Sequence, residues 1–422
     1  MKLVWLGCLL AGSQVFAGTQ DSETNVNTRY TVEAVAIQGE GWSSGPVLDR
    51  DKRLSLGLRR EISALIGEKL NPPVLDDLAR RLRKELHART VEHHVLRGKQ
   101  PDYVQVVFDV QLRPTRFDVS VPKFLYQAKQ GWSGAVEGTA TSHHNGVTFG
   151  LVGDGDELVE RYTGIEARYA NDHLGTDRAH LAFEFDSFHE QWSNASLAAA
   201  SAATAPDAAS DLYRTRESFQ PVVSFVVARP LTVSFGASFE RLGQEGPMAH
   251  IEAANAFLAN ATFHDALEGA EYQNSFNGQY DLRMGTRSLG SDFVYARHRW
   301  QFRYTLTRGK QMLLDEATAG FISGQAPLFE RFAMGNSTTL RGWNKYDIDP
   351  LGGNRMMANS VEYRYGVLQV FYDTGAIWDN GQTVIARNSV GAGLRQGAFS
   401  LAIAFPLREG KTYPIFMVGM NY

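Results

Sequence analysis

The sequence lacks the features of several common protein classes. One cysteine among 422 residues excludes a disulfide scaffold. Beyond the first residues, no apolar run reaches the roughly 18 residues that a membrane-spanning helix needs. A net charge of −4 indicates no basic surface, so we expect no nucleic-acid partner. The apolar fraction of 43% exceeds that of disordered chains. A mean hydropathy of −0.27 remains compatible with a membrane β-barrel, because alternating strands average out.

Residues 1–17 have the pattern of a secretory signal peptide. Lys2 supplies an early positive charge, an apolar stretch follows from Leu3 to Ala11, and Ala17 marks the predicted cleavage site. Cleavage at this position would remove Cys8, which suits an oxidising compartment. We therefore expect an exported chain without cysteine.

Residues 28–113 predict a small α+β domain. Tyr30–Ile37 alternates like a strand and would place Val32, Ala34 and Ala36 on one face. Two helical patterns follow, and the second begins after Asn71 as the predicted cap. Two extended segments, Val91–Arg97 and Tyr103–Leu112, complete the order β-α-α-β-β.

From residue 116 to residue 422 the apolar period changes to two. The clearest examples are residues 180–186, 231–239, 299–306 and 398–407. Such strands could form a soluble sandwich with an apolar core or a membrane barrel with an apolar outer face. The export signal, the absence of covering helices and the charged polar faces favour a transmembrane antiparallel β-barrel. The fold class is therefore mainly β.

We count fifteen or sixteen strand candidates between Phe117 and Tyr422, of which Phe117–Val121 is the least regular. Because bacterial barrels have even strand numbers, we expect sixteen, with fourteen as the alternative. The Ala/Ser-rich tract 194–211 predicts a loop with a short helix. The last segment alternates to the end of the sequence and predicts the strand that closes the barrel and serves as its terminal signal. Its outward residues would be Phe416, Val418, Met420 and Tyr422.

A long segment, about residues 324–354, separates two of these strands and contains the sequence Leu340-Arg341-Gly342-Trp343. Long loops in compact domains are often functional. Downstream lies Phe371-Tyr372-Asp373-Thr374-Gly375. If Tyr372 faces lipid, then Phe371, Asp373 and Gly375 face inward, and Glu362 does so on the preceding strand.

A loop folded into the barrel could place the guanidinium of Arg341 against Asp373 or Glu362, with Trp343 nearby. Such a pair would be directional and bidentate, which a lysine would not reproduce. The alternative is that Arg341 is an exposed loop residue and Asp373 is hydrated. The spacing of these residues leaves both arrangements open.

These motifs resemble one family. The β-α-α-β-β domain resembles a POTRA domain, and LRGW is similar to the arginine-glycine-aromatic motif in the sixth extracellular loop of the BamA/TamA superfamily. FYDTG resembles the F-x-D-x-G strand motif of the same superfamily. The resemblance implies a sixteen-stranded outer-membrane barrel with one POTRA domain in the periplasm. It also implies that the loop arginine packs inside against the motif aspartate.

The resemblance further implies a role in inserting or translocating other envelope proteins. The expected partners are outer-membrane lipid, unfolded barrel or secreted clients, and a periplasmic protein at the POTRA domain. Exposed sheet edges and the barrel seam could pair with an incoming strand. A two-partner-secretion-like transporter or a passive pore is the alternative.

We expect no catalytic activity, cofactor or metal. A barrel enzyme would need a Ser–His pair on the outer surface, and His298 with Ser288 or Ser291 does not form a convincing one. The pairs His93-His94 and His143-His144 are adjacent in strand-like sequence. Their side chains would point to opposite faces, which makes them poor joint metal ligands.

Overall fold

The computed structural model describes residues 29–39, 45–46, 54–86, 88–112, 115–202, 212–244, 250–268, 272–410 and 412–420. The predicted signal peptide and Tyr422 lie outside these residues. Two compact units divide the chain, one up to Leu112 and one from Arg113 onward. Within the described ranges, no helix is long and apolar enough to cross a membrane.

The first unit contains two helices and a small sheet. Its elements are β1 (Thr31–Gly39), β2 (Gly45–Pro46), α1 (Leu56–Ala64), α2 (Pro72–Glu85), β3 (Ala88–Arg97) and β4 (Tyr103–Leu112). The sheet order is β2-β1-β4-β3, with β1 and β4 parallel and β3 and β4 antiparallel. The predicted order β-α-α-β-β is confirmed, with the two-residue β2 as an addition, and the unit is POTRA-like.

The predicted phase of β1 is wrong after its second residue. The pairing with β4 shifts register between Val32 and Ala34, which is a β-bulge. Because a bulge adds one residue to the strand, it reverses the phase that follows. Val35 and Ile37, rather than Ala34 and Ala36, therefore join Val32 in the core beneath the helices.

The start of α2 also differs in one detail from the expected cap. The side chain of Asn71 makes no capping hydrogen bond, although its backbone oxygen accepts from the N–H of Leu75 at 3.2 Å. Pro72 at the first helical position needs no N–H partner. The proline therefore marks this helix start without help from an asparagine side chain.

The second unit is a closed antiparallel barrel. Its strands are β5 (Arg116–Gln127), β6 (Gly131–Ser142), β7 (Asn145–Asp154), β8 (Arg161–Asn171), β9 (Ala179–Gln191), β10 (Thr215–Ala228), β11 (Leu231–Gly243), β12 (Ile251–Ala253), β13 (Ala256–Glu268), β14 (Gln273–Gly285), β15 (Val294–Arg308), β16 (Gln311–Gln325), β17 (Arg355–Tyr365), β18 (Leu368–Trp378), β19 (Arg387–Gln396), β20 (Phe399–Leu407) and β21 (Ile415–Met420). Since β12 and β13 both pair with β11 in line, they form one interrupted strand. The expected sixteen-stranded barrel is confirmed.

Alternation along each strand separates an apolar outer face from a polar lumen. Phe235, Phe302 and Phe405 are exposed on the outside, as the sequence period predicts. Paired positions share a face, and Arg168 lies opposite Glu184 across β8 and β9. Helix α3 (Asn194–Ala202) accounts for the first half of the predicted loop tract, and residues 203–211 lie outside the described ranges.

Two ends of the barrel can be distinguished by their connections. One end carries tight turns such as Gly309-Lys310 and Gly366-Val367, and we call it the turn end. The other end carries the longer connections after β7, β9, β14 and β16, and we call it the loop end. Strand β5 begins at the turn end, because its carboxyl end is joined to β6 at the loop end.

Among the described residues, the seam between the first and last strands is short. Phe124–Gln127 of β5 pair with Met417–Met420 of β21, which gives four paired positions. By comparison, β17 and β18 pair at eleven positions. Among the described residues, Arg116–Ser120 of β5 pair with β6 only. The outward residues Phe416 and Met420 lie on β21 as expected, and Val418 shares their face.

We predict that deleting residues 420–422 prevents stable closure of the barrel. The deletion removes the pair between Met420 and Phe124, one of the four described seam pairs, and shortens the pairing with β20. The truncated protein should be absent from the membrane fraction and should lack the faster gel migration of an unheated, folded barrel. Met420→Ala keeps the backbone pairing and serves as the control. Normal membrane levels of the truncated protein would contradict this prediction.

Candidate functional site

The connection between β16 and β17, residues 326–354, folds into the loop end of the barrel. It contains a 3-10 turn at Leu328–Glu330 and helix α4 (Lys345–Ile348), and Phe332 bridges to Gly353. Its buried apolar side chains form one cluster with wall residues from several strands. The loop contributes Phe329, Phe332, Met334 and Leu340 to this cluster. Each large apolar side chain that is fully buried contributes about 1.5–3 kcal/mol. The loop therefore belongs to the core of the barrel rather than to its outer surface.

The guanidinium of Arg341 contacts the inner wall through most of its donors. Its Nε and Nη2 donate to the two carboxylate oxygens of Asp373 at 3.0 and 2.8 Å. Its Nη1 donates to Glu362 Oε2 at 2.8 Å, and Nη2 also donates to Ser360 Oγ at 2.9 Å. The backbone N–H of Arg341 adds a hydrogen bond to Asp373 Oδ2 at 3.0 Å. We call this set of contacts the first anchor.

Residues on β17 and β18 form the pocket that holds Arg341. Asp373 is 0% exposed, and Ser360 donates a further hydrogen bond to its Oδ1 at 2.7 Å. The ring of Phe371 lies under the guanidinium, 3.5 Å from its carbon to the ring centroid. Burial by itself would lower the pKa of Arg341, but the hydrogen bonds and charges of Asp373 and Glu362 outweigh it and raise that pKa. The arginine is therefore held as a cation in a site that matches its planar shape.

Two neighbours of Arg341 explain why the loop can approach the wall so closely. Gly342 has φ +104°, and a Cβ at this position would lie 3.0 Å from Ser389 Cβ. Trp343 donates from Nε1 to the backbone oxygen of Asn388 at 2.9 Å. Its ring also lies near the guanidinium groups of Arg387 and Arg408, at 5.6 and 5.7 Å. The Leu340–Trp343 motif is therefore seated against β18, β19 and β20.

Gly375 makes room for another part of the loop. A Cβ on Gly375 would lie 2.8 Å from Cε of Met334 and 3.0 Å from the backbone oxygen of Met357. Glu362, which accepts from Arg341, also accepts from Nε of Arg364 on its own strand. The glycine and the two acidic residues of the predicted site thus occupy one patch of inner wall.

The loop also contacts the opposite side of the lumen. Nζ of Lys345 in α4 donates to the backbone oxygens of Gly155 and Leu158, in the connection between β7 and β8. Burial lowers the pKa of Lys345 to about 8, and the nearby charges of Asp156, Glu160 and Asp154 partly offset this effect. Neither this contact nor the role of Ser360 was predicted from the sequence. Neither residue belongs to a motif, and only the inward phase of Ser360, shared with Glu362, could have indicated it.

The residues considered for other chemistry are not brought together. Ser291 donates to the backbone oxygen of Ala253, whereas Nδ1 of His298 lies 2.8 Å from the hydroxyl of Tyr280 on the outer face. His94 pairs with Asp109 on the neighbouring strand at 2.7 Å. Within the part of the chain that is described, no group of three or more His, Cys, Asp or Glu side chains is arranged to hold a metal.

We predict that Arg341 and Asp373 are energetically coupled. Arg341→Ala should expose the loop to protease while the barrel stays in the membrane, and Arg341→Lys should rescue poorly because it loses the planar fork. In a double-mutant cycle with Asp373→Ala, local opening measured by proteolysis of the loop should show a coupling energy of roughly 1–3 kcal/mol. Additive effects of the two substitutions would show that this contact does not hold the loop.

We also predict that Gly342→Ala loosens the loop. The substitution places a Cβ in a backbone conformation that costs about 1–3 kcal/mol and crowds Ser389. Gly366→Ala is the matched control, since Gly366 also has a positive φ, of +62°, but a Cβ there meets nothing within 4 Å. Proteolysis of the loop should accelerate in the first variant and stay near wild type in the second. Equal rates would contradict the close approach.

Comparison with known proteins places this architecture in a family. A family model described as the Omp85 superfamily domain matches residues 138–418. An outer membrane protein assembly factor BamA from Nitratidesulfovibrio vulgaris is 32% identical over 111 residues, which cover 21% of this chain and 14% of that protein. The matched segment therefore spans only a small part of that relative's length.

Solved structures show the same fold at lower sequence identity. BamA from Haemophilus ducreyi lacking POTRA domains 1–3 matches with a TM-score of 0.65 and 15% identity, over 93% of this chain and 84% of that one. CdiB from Acinetobacter baumannii matches with a TM-score of 0.54 and 14% identity, over 93% and 74%. The family match, the sixteen-stranded barrel and the inward loop agree, and the chain belongs to the Omp85 superfamily of outer-membrane β-barrel proteins.

Proposed function

We propose that this protein assists the insertion of other β-barrel proteins into the outer membrane by pairing with their strands at its seam. The observation that carries the proposal is the seam itself, where only four described positions join β5 to β21. Among the described residues, the seam has fewer paired positions than any full strand pair in this barrel. It is therefore the position at which an incoming strand can be exchanged into the wall at the lowest cost.

The edge of β5 provides a ready template. Phe117 and Val119 are 70% and 67% exposed on the outer side, and the described pairing on this part of β5 is with β6 alone. An edge strand with free backbone groups can accept another strand by β-augmentation. Its outward apolar residues match the alternation of a membrane strand. The proposed client is therefore an unfolded chain with the same alternation.

The first unit offers a second edge. Strand β3 lies at the border of its sheet, and Val95 and Leu96 are exposed there. A groove of about 470 Å³ runs beside it, between α2 and β3. Its lining residues are Asp76, Ala79, Arg80, Arg83, Val91, Glu92 and His93. We assign this groove to a client strand or a periplasmic partner, with the POTRA-like unit on the periplasmic side.

The filled loop end argues against a passive pore as the primary function. Loop residues Phe332, Met334 and Leu340 pack against wall residues such as Leu242 and Ile377 inside the lumen. Water and ions would have to pass this packed cluster. A lateral route through the seam leaves the cluster in place.

Translocation of a secreted client is the second candidate function. The lumen wall carries charges of both signs, such as Arg168 and Glu184, which lie opposite each other on β8 and β9. A wetted, charged wall favours passage of a polar chain once the loop moves. The fold shared with CdiB is consistent with this candidate.

We predict that locking the seam abolishes function. Tyr126 and Val418 are partners across the seam and both face outward, so Tyr126→Cys with Val418→Cys should form a disulfide. After cleavage of the predicted signal peptide the chain has no other cysteine. Cells in which this variant replaces the wild-type gene should lose outer-membrane barrel proteins to the same extent as cells in which the gene is deleted. Addition of a reductant should restore their levels.

The control locks an ordinary strand pair. Val370→Cys with Ala392→Cys joins outward partners on β18 and β19 and should leave function intact. If the deletion changes the secreted proteome and leaves the outer-membrane barrels unchanged, translocation replaces insertion as the function. If the locked seam supports full activity, templating at the seam is wrong.

A further inference from the structure

A second group of buried contacts holds the loop to the β5–β8 side of the lumen. The backbone N–H of Ser337 donates to Asp156 Oδ1 at 3.0 Å, and its hydroxyl donates to Oδ2. Asp156 is 1% exposed and lies in the connection between β7 and β8. With the Lys345 contacts to Gly155 and Leu158, these bonds form what we call the second anchor.

The second anchor reaches the first strand of the barrel. The register of β5 against β6 shifts between Ser120 and Lys123. Nζ of Lys123 pairs with Asp154 and lies 3.7 Å from Asp156 Oδ2. At the turn between β5 and β6, Gln130 donates from Nε2 to the backbone oxygen of Gly335 at 2.9 Å. The backbone of Gly335 is therefore bound to the β5–β6 turn, and Asp156 connects the loop to Lys123 of β5.

The carboxylate of Asp156 is not needed to shape its own turn. That task belongs to Asp154, whose Oδ1 accepts from the N–H groups of Asp156 and Glu157 at 2.6 and 3.0 Å. Both oxygens of Asp156 are instead directed at Ser337, with the ammonium of Lys123 beside them. A substitution at Asp156 can therefore remove the contact with the loop and leave the local turn in place.

The two anchors lie on opposite sides of the seam. The first fixes Arg341 to β17 and β18, and Trp343 extends it to β19. The second fixes Ser337 and Lys345 to the β5–β8 side. The seam lies between these two groups of strands, since β21 follows β20 and pairs with β5. Residues 335–345 therefore span the inside of the seam from one wall to the other.

We propose that Asp156 is a positioning residue that holds the seam closed through the loop, and that the second anchor must release before the seam opens. The buried ion pair and hydrogen bonds reinforce the four seam pairs from inside. The inference rests on the proposed function only in assuming that the seam opens during activity.

The test measures seam closure in the purified full-length protein, without clients. The seam cysteine pair at positions 126 and 418 is oxidised under limiting oxidant, with and without Asp156→Ala. We expect the variant to form the disulfide at least fivefold more slowly, because the two strands spend less time in register. The control pair at positions 370 and 392 should be unaffected, and so should the migration of the unheated barrel.

Two additional variants separate positioning from general damage. Ser337→Ala removes only the hydroxyl contact. It should also slow formation of the seam disulfide, but by less than Asp156→Ala does. Combined with Asp156→Ala it should add little, because both act through one contact. In the Arg341→Ala background the effect of Asp156→Ala should be smaller, because residues 335–345 span the seam only while both anchors hold. If Asp156→Ala prevents folding, Ser337→Ala and Lys345→Met decide the question by the same measurement.

Three outcomes discriminate between the proposals. Unchanged seam oxidation in all of these variants would overturn the second anchor and leave the proposed function standing. Slower oxidation of the control pair at positions 370 and 392 as well would assign Asp156 to general barrel stability and would also overturn the second anchor. Slower seam oxidation in Asp156→Ala, together with normal client assembly in cells whose seam is locked by the cysteine pair at positions 126 and 418, would support the anchor and count against the proposed function.

Discussion

One buried arginine organises the interior of this barrel. Arg341 uses four side-chain hydrogen bonds and one backbone hydrogen bond to reach Asp373, Glu362 and Ser360. A guanidinium taken out of water without such partners would be costly, and the same applies to Asp373 when it is buried alone. Each group therefore requires the other, and the loop has to lie inside for either to be satisfied. The apolar cluster at the loop end, the close approach at Gly342 and the space at Gly375 all follow from this position.

The proposed function depends on a contrast between strand pairs of the same barrel wall. Most strand pairs have long ladders, whereas the seam has four described pairs and a first strand whose early part is paired on one side. The interior contacts on both flanks compensate for this short ladder. The barrel thus combines few backbone pairs at the seam with many side-chain contacts through the loop. This combination keeps the seam closed at rest and allows strand exchange at one defined position.

Much of this architecture can be read from the sequence, for a physical reason. Lipid on one side and water on the other enforce alternation, so the phase of Tyr372 determines where Asp373 points, and Glu362 follows on the next strand. The loop was recognisable by its length and by its arginine-glycine-aromatic motif. The direct path from period to face made the strand number predictable and placed Asp373 and Glu362 in the lumen, whereas the contact of Arg341 with them was expected from the family resemblance.

Other features leave no local trace in the sequence. The bulge in β1 reverses a phase with one additional residue, and no residue type marks it. The side chain of Asn71 could cap a helix but does not, because Pro73 has no N–H to donate and the N–H of Val74 donates to the backbone oxygen of Asn71. The contact between Ser337 and Asp156 joins ordinary polar residues from distant parts of the chain. Such a pair becomes visible only when the barrel is closed and both connections fold inward.

The sequence separation of the two anchors has a consequence for how the barrel is built. Arg341 and Asp373 are 32 positions apart, whereas Ser337 and Asp156 are 181 apart. Contacts between nearby residues form early, because the chain entropy lost in closing a short loop is small. The β16–β19 segment can therefore capture its own loop while the rest of the chain is still unfolded. The distant contact becomes available only when the first strands arrive. The final closure of the ring therefore coincides with the locking of the loop.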